Sequence, residues 1–162
     1  MEIQIEEETG IDKRIELGRE KILEFQNELA KQPGAWEGDS ENCPLKHSFA
    51  PGVYVREIFI PKGICLVGKI HKHEHPNFLM SGEVLVVTEH EGRQHLKAPL
   101  SMISKAGTKR VVYALEDTVW ITVHVTGETD LEKIEDFVIA KSFEEYEQFK
   151  KMQNQKTGGL LT

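Results

Sequence analysis

From Val53 to Val125 the chain is a succession of short β-branched and aliphatic runs, each stopped by turn residues before it reaches helical length. VYVREIFI gives way to PKG and then to ICLVGKI. EVLVVTE turns at HEGR into QHLKAPLSMIS, and RVVYAL turns at EDT into VWITVHV. Strand-length runs with Gly, Pro and Asp punctuation at this spacing belong to a β-barrel or β-sandwich.

The flanks are different. From Ile11 to Gln32 the apolar residues Ile11, Ile15, Ile22, Phe25 and Leu29 fall on one helical stripe. Thr9 and Asp12 offer capping oxygens at its start, and Pro33-Gly34 stops it. Gly18 lies on the stripe, where it costs helix stability but admits a close neighbour. This helix either covers the domain or serves self-association. Residues 33–52 are rich in turn formers and read as a wrapping loop. Thr129 with Glu132, and Ser142 with Glu145, have capping-box spacing and place short helices at about 130–137 and 143–152. The expected organisation is an N-terminal extension and helix over 1–32, with 1–8 frayed, and a β-domain with its preceding loop over 33–127. C-terminal helices follow over 128–153, and a flexible tail over 154–162.

Among 162 residues, 27 are acidic and 20 basic, for a net charge of −7, so no broad basic face is available for a nucleic-acid backbone. The apolar runs are too short to cross a bilayer. The acidic start, MEIQIEEETG, lacks the order of a signal peptide, and two cysteines, Cys43 and Cys65, are too few for a disulfide framework. A reduced cytoplasmic setting is the expectation, with no nucleotide cofactor.

The segment KIHKHEHPNFLMSGE, residues 69–83, carries His71, His73 and His75 at every second position. In a continuous strand these share a face with Cys65, Val67, Lys69 and Asn77. Three convergent neutral imidazoles suit a divalent ion such as Fe, Mn, Ni or Zn. His124, in VWITVHV, is a further candidate ligand. It joins the site if Thr118, Trp120, Thr122 and His124 line the cavity, and points outward if the Val119-Ile121-Val123-Val125 face does so. His47, His90 and His95 sit in loops or hairpin ends and read as solvated.

His71-Lys72-His73 followed by PNFLMSGEVLVV resembles the first motif of the cupin superfamily, with Gly82 as the closing glycine. Lys105-Ala106-Gly107-Thr108-Lys109-Arg110 is similar to part of the second. AGTKR, YALEDTVWITVH and TDLEKIED further resemble small cupin-like proteins of tailed bacteriophages. The resemblance covers about residues 50–126. It implies a mainly β, cupin-type double-stranded β-helix (jelly-roll barrel) with an N-terminal helix and short C-terminal helices. It also implies a metal on first-motif histidines, a homodimer, and a setting in host cytoplasm or virion. The departures are specific. Counted from His73 the motif glutamate falls on Asn77, and counted from Gly82 it falls on His75. In the second motif, Arg110 stands at the histidine position.

An arginine cannot ligate a metal, but it grips a carboxylate or phosphate in bidentate fashion. Arg110, Lys109, Lys69 and Asn77 are therefore the candidate ligand-binding residues, for a small anionic or polar molecule at the barrel mouth. The alternative for Lys105, Lys109 and Arg110 is pairing with Glu116 or Asp117. Glu83 is the candidate proton carrier. Cys65 reads as a core residue and Cys43 as more exposed. Two functional classes stay open. One is a cupin-fold binding or assembly protein, with possible metal occupancy and no established catalysis. The other is a metal-dependent enzyme of oxygenase, isomerase or lyase type.

Overall fold

A computed structural model describes the backbone of residues 2–160 and the side chains of residues 13–156. Helix α1 (Glu2–Ala30) precedes ten strands: β1 (Leu45–Ala50), β2 (Val53–Ile60), β3 (Cys65–Val67), β4 (Ile70–His71), β5 (His75–Ser81), β6 (Glu83–Thr88), β7 (Gly92–Lys97), β8 (Leu100–Ser104), β9 (Arg110–Ala114) and β10 (Thr118–Val125). Helix α2 (Leu131–Val138), strand β11 (Ile139–Ala140) and helix α3 (Phe143–Leu160) follow.

The strands form a five-stranded sheet in the order β1-β2-β10-β5-β8 and a four-stranded sheet in the order β3-β9-β6-β7, with β4 paired to β11. All pairings are antiparallel, and β5 in one sheet leads directly to β6 in the other. This is the double-stranded β-helix, a jelly roll of two facing sheets. Gly82 makes the transfer between sheets. Its φ is +96°, and a Cβ there would stand 2.6 Å from the Asp117 carbonyl oxygen, so no other residue fits without displacement.

Alternation on each strand decides what fills the barrel. On β10, Thr118, Trp120, Thr122 and His124 are buried, while the aliphatic residues between them face outward. Ile60, Leu79, Val84, Val86, Val112 and Trp120 close one end as a packed core. The other end stays open. Residues 45–50, expected within a loop, instead pair with β2 as an edge strand. Cys43, expected exposed, is in the core, where burial raises its thiol pKa.

The helices also depart from expectation. Helix α1 begins at Glu2 rather than after a frayed 1–8. Thr9 and Asp12 thus lie within its span, and the capping expected of them falls outside the described side chains. Ile22 is its buried contact, whereas Phe25, expected on the same stripe, is exposed. Gly18 lets α1 approach the barrel closely, since a Cβ there would be 3.1 Å from the Cα of Glu89. Arg19 ties α1 to α3, donating to Glu147 at 3.0 Å and lying 4.5 Å above the Phe143 ring.

Asp130, rather than Thr129, caps α2, accepting from the backbone N–H groups of Glu132 and Lys133. Ser142 does accept from Glu145 N–H at 3.1 Å, as the spacing predicts. Helix α3 runs on to Leu160, through residues expected as a loose tail, because the Glu, Gln, Lys and Met of its middle turns favour helix and no proline interrupts them. Residues 161 and 162 of that expected tail lie outside the described residues. Ile70 packs with Ala140, Phe143 and Tyr146, so the C-terminal segment covers one side of the β4 edge.

Candidate binding site in the barrel

The open end holds a cavity of about 310 Å³. Three imidazoles meet in it. The ring centroids of His71 and His75 are 4.4 Å apart, those of His75 and His124 4.8 Å, and those of His71 and His124 5.5 Å. Tyr54 stacks on His124 at 5.9 Å and its hydroxyl lies 2.6 Å from His47 Nδ1. His47, expected in solvent, is thus a wall residue, turned inward opposite Arg56 in the β1–β2 register. Ile58, Ile60, Leu66 and Val112 supply apolar wall below these groups.

His73 is not part of the cluster. The chain bends between β4 and β5, so alternation breaks after His71 and resumes at His75. Lys72 N–H donates to Val138 O at 2.7 Å, which holds the bend against α2. The His73 ring consequently lies among the C-terminal helices, with centroids 4.8 Å from Phe137 and 5.3 Å from Phe149. The three-histidine face expected for 71, 73 and 75 is replaced by one made of 71, 75 and 124.

The cluster is uncharged at neutral pH. Burial pushes the pKa of His71 well below 6.5, and His75, His124, Arg110 and Arg56 lower it further. Burial, then His75 and Arg56, bring His124 down to about 4. His75 is lowered for the same first reason, against a backbone hydrogen bond that raises it. That bond fixes the tautomer. His75 Nδ1 lies 3.0 Å from the His73 carbonyl oxygen, which can only accept, so Nδ1 carries the proton and Nε2 presents a lone pair.

Arg110 enters the cavity from the first position of β9. Its guanidinium lies 5.0 Å from the centroid of Trp120 and donates to Ser104 Oγ. Burial lowers its pKa, with Glu89 and Glu91 opposing, and an arginine remains a cation through such a shift. Among the described residues no carboxylate is ion-paired with it, and Glu116 instead meets Lys62 at 3.4 Å. Ser104 is itself held from behind. Asn77 Nδ2 donates to Ser104 Oγ at 2.6 Å, and Asn77 Oδ1 accepts from Trp120 Nε1 at 3.0 Å.

The remaining candidates are dispersed. Asn77 is fully buried in the wall as that brace and does not line the cavity. Lys109 is buried with its Nζ on the Gly68 carbonyl at 3.0 Å, outside the cavity lining. Lys69 stands at the mouth, paired with Glu135 of α2. Glu83 is turned away and receives His95 Nε2 at 2.6 Å on the β6–β7 ribbon, so it has no access to the cluster. Sequence reasoning missed Arg56, Tyr54 and Ser104. Arg56 and Tyr54 sit at alternate positions of VYVREIFI, where period two alone puts them on one face.

A divalent ion suits these donors in kind. Three neutral imidazoles surround the space, and His75 Nε2 is buried with no hydrogen-bond partner among the described residues. In position they do not suit it, since among the described residues no group of three or more His, Cys, Asp or Glu is placed to hold a metal ion.

No protein-family model matches the chain, and no curated protein matches it. Solved structures that resemble it are double-stranded β-helix proteins at low identity. KdgF from Halomonas sp. superposes with a TM-score of 0.48 at 16% identity, over 59% of this chain and 90% of that one. An RmlC-like cupin family protein from Methanocaldococcus jannaschii gives 0.45 at 12%, over 57% and 88%. An acetylacetone dioxygenase from Acinetobacter johnsonii gives 0.43 at 14%, over 58% and 75%. The fold itself stands on the strand order and register given above. Among the described residues no helix is long and apolar enough to cross a membrane.

Proposed function

We propose that the barrel binds a small organic anion, a carboxylate joined to an apolar body. One observation carries this reading. Arg110 presents a half-buried cation to the cavity with a neutral hydroxyl as its hydrogen-bond acceptor. A cation partly withdrawn from water and facing no paired carboxylate favours an anion, and a carboxylate meets its guanidinium in bidentate fashion. The neutral histidines add no competing anion, and Ile58, Leu66 and Val112 face the apolar body. The test is calorimetric titration with a panel of aliphatic and aryl monocarboxylates alongside their amides. Acids should bind and amides fail, and Arg110→Gln should weaken acid binding at least tenfold. Amides bound as tightly as acids, or an unaffected R110Q protein, would refute the reading.

A second reading follows from the unpartnered His75 Nε2 beside two neutral imidazoles. His71, His75 and His124 match a divalent ion of the Fe, Mn, Ni or Zn group in donor type and would have to regroup to hold one, so no step is assigned to it. Elemental analysis of protein purified without a histidine tag tests it, with about one equivalent per chain lost in His75→Ala.

Self-association is the third element. The outer face of the five-stranded sheet exposes Phe59, Phe78, Met80 and Ile103, and its β10 row of Val119, Ile121, Val123 and Val125 carries no charge. We assign a second copy of the chain to this face, giving a homodimer whose cavities stay open. An assembly role in a phage particle would use the same face.

A further inference from the structure

Among the described residues, two polar atoms in the cavity wall are buried with no hydrogen-bond partner. They are His75 Nε2 and Thr122 Oγ1, on residues exposed by 3% and 8% respectively. Both residues line the cavity, and they lie on neighbouring strands of the five-stranded sheet. Native interiors rarely leave such groups unmatched, so each points to something the cavity receives. The two differ in what they accept. Thr122 serves as donor or acceptor, whereas His75, with its proton committed to the His73 carbonyl, is an acceptor alone.

Position then joins this acceptor to the anion site. His75 lies opposite Ser104 in the β5–β8 register, and Ser104 is the residue that receives Arg110. The His75 side chain therefore shares a sheet face with the serine that holds the Arg110 guanidinium.

Resting on the carboxylate reading above, we propose that the ligand is a 2-hydroxy acid, held with its carboxylate on Arg110 and its hydroxyl donating to His75 Nε2 beside Thr122. A 2-oxo acid would set a carbonyl lone pair against the imidazole lone pair. An acid with nothing at that carbon would leave the nitrogen buried and unmatched. An ammonium at that carbon would stand beside the Arg110 cation and the neutral rings, with the two carboxylates of the lining, Asp39 and Glu135, already facing Arg56 and Lys69. The cavity holds the volume of about ten waters, enough for a ligand of roughly ten non-hydrogen atoms.

The experiment uses the full chain after exhaustive chelation and titrates three acids matched in carboxylate and ring: mandelate, phenylglyoxylate and phenylacetate. Lactate, pyruvate and propionate repeat the comparison without the ring, so that ring fit does not decide the result. The hydroxy acid of one series or both should bind about tenfold more tightly or better than its two partners. In His75→Leu that preference should vanish while phenylacetate or propionate still binds. Equal affinities within each series, or a preference for the oxo acids, would overturn the hydroxyl assignment and leave the carboxylate site standing. Failure of all six acids to bind would remove the carboxylate reading and this one with it. A preference that appears only when Zn²⁺ or Mn²⁺ is restored would overturn direct donation to His75.

Discussion

Acidification should loosen the barrel through its histidines, and His124 gives the magnitude. Its pKa falls from 6.5 to about 4 on folding, chiefly through burial. The unfolded chain therefore takes up a proton that the native state refuses over the window between those values. Stability is fully present above pH 6.5 and declines as pH falls toward 4, where the penalty levels off. For this one group the loss between pH 7 and pH 5 is about 2 kcal/mol, and the full loss by pH 4 is about 3 kcal/mol. His71 and His75 are lowered in the same direction and steepen the slope. Urea denaturation of chelator-treated protein at half-unit steps from pH 7.5 to 5 measures it. In His124→Gln the pH dependence should flatten by at least the His124 share, because His71 and His75 also lose a charged neighbour. An H124Q protein with the wild-type slope would show that the cluster does not exclude protons.

Three further outcomes follow. Asn77→Ala removes an acceptor from Trp120 and a donor from Ser104 inside the wall, and should cost about 3 kcal/mol in denaturant titrations, with loss of near-ultraviolet circular dichroism around the indole. Gly82→Ala forces a left-handed residue against the Asp117 carbonyl and should destabilise by roughly 2 kcal/mol or more in thermal unfolding, whereas Gly38→Ala, with open space around it, should cost less. Light scattering after size exclusion should report a dimer. Replacing Met80 and Ile103, exposed by 55% and 59%, with glutamate should give a folded monomer with unchanged ligand affinity.

Local signals carried the architecture further than they carried the site. The β-branched runs announce strands because period two and turn residues act over a few positions, and the strands of the roll fall where those runs lie, β1 and β5 apart. LKHSFA at β1 is too polar to declare itself, since an edge strand needs only one neighbour. The site is non-local. His73 and His75 have the same spacing in sequence, yet a bend pinned to the Val138 carbonyl, more than sixty residues away, separates them. Both faces of VWITVHV could have turned inward, because its aliphatic side is the more hydrophobic one. The structure turns the Trp-Thr-His side inward, where Trp120 finds Asn77 and His124 finds His71 and His75. Arg110 was legible as a departure from a motif, but Ser104 and Trp120 become its neighbours only when the sheets close.

The brace behind Arg110 gives the molecule a built-in optical gauge. The Trp120 indole hydrogen-bonds Asn77 on one side and lies under the guanidinium on the other. An anion that draws the cation toward the cavity centre withdraws positive charge from above an excited-state dipole, so the emission colour of this indole should move with occupancy. Mutating Trp36, the other tryptophan of the chain, to phenylalanine would isolate that signal and let binding be followed without a label.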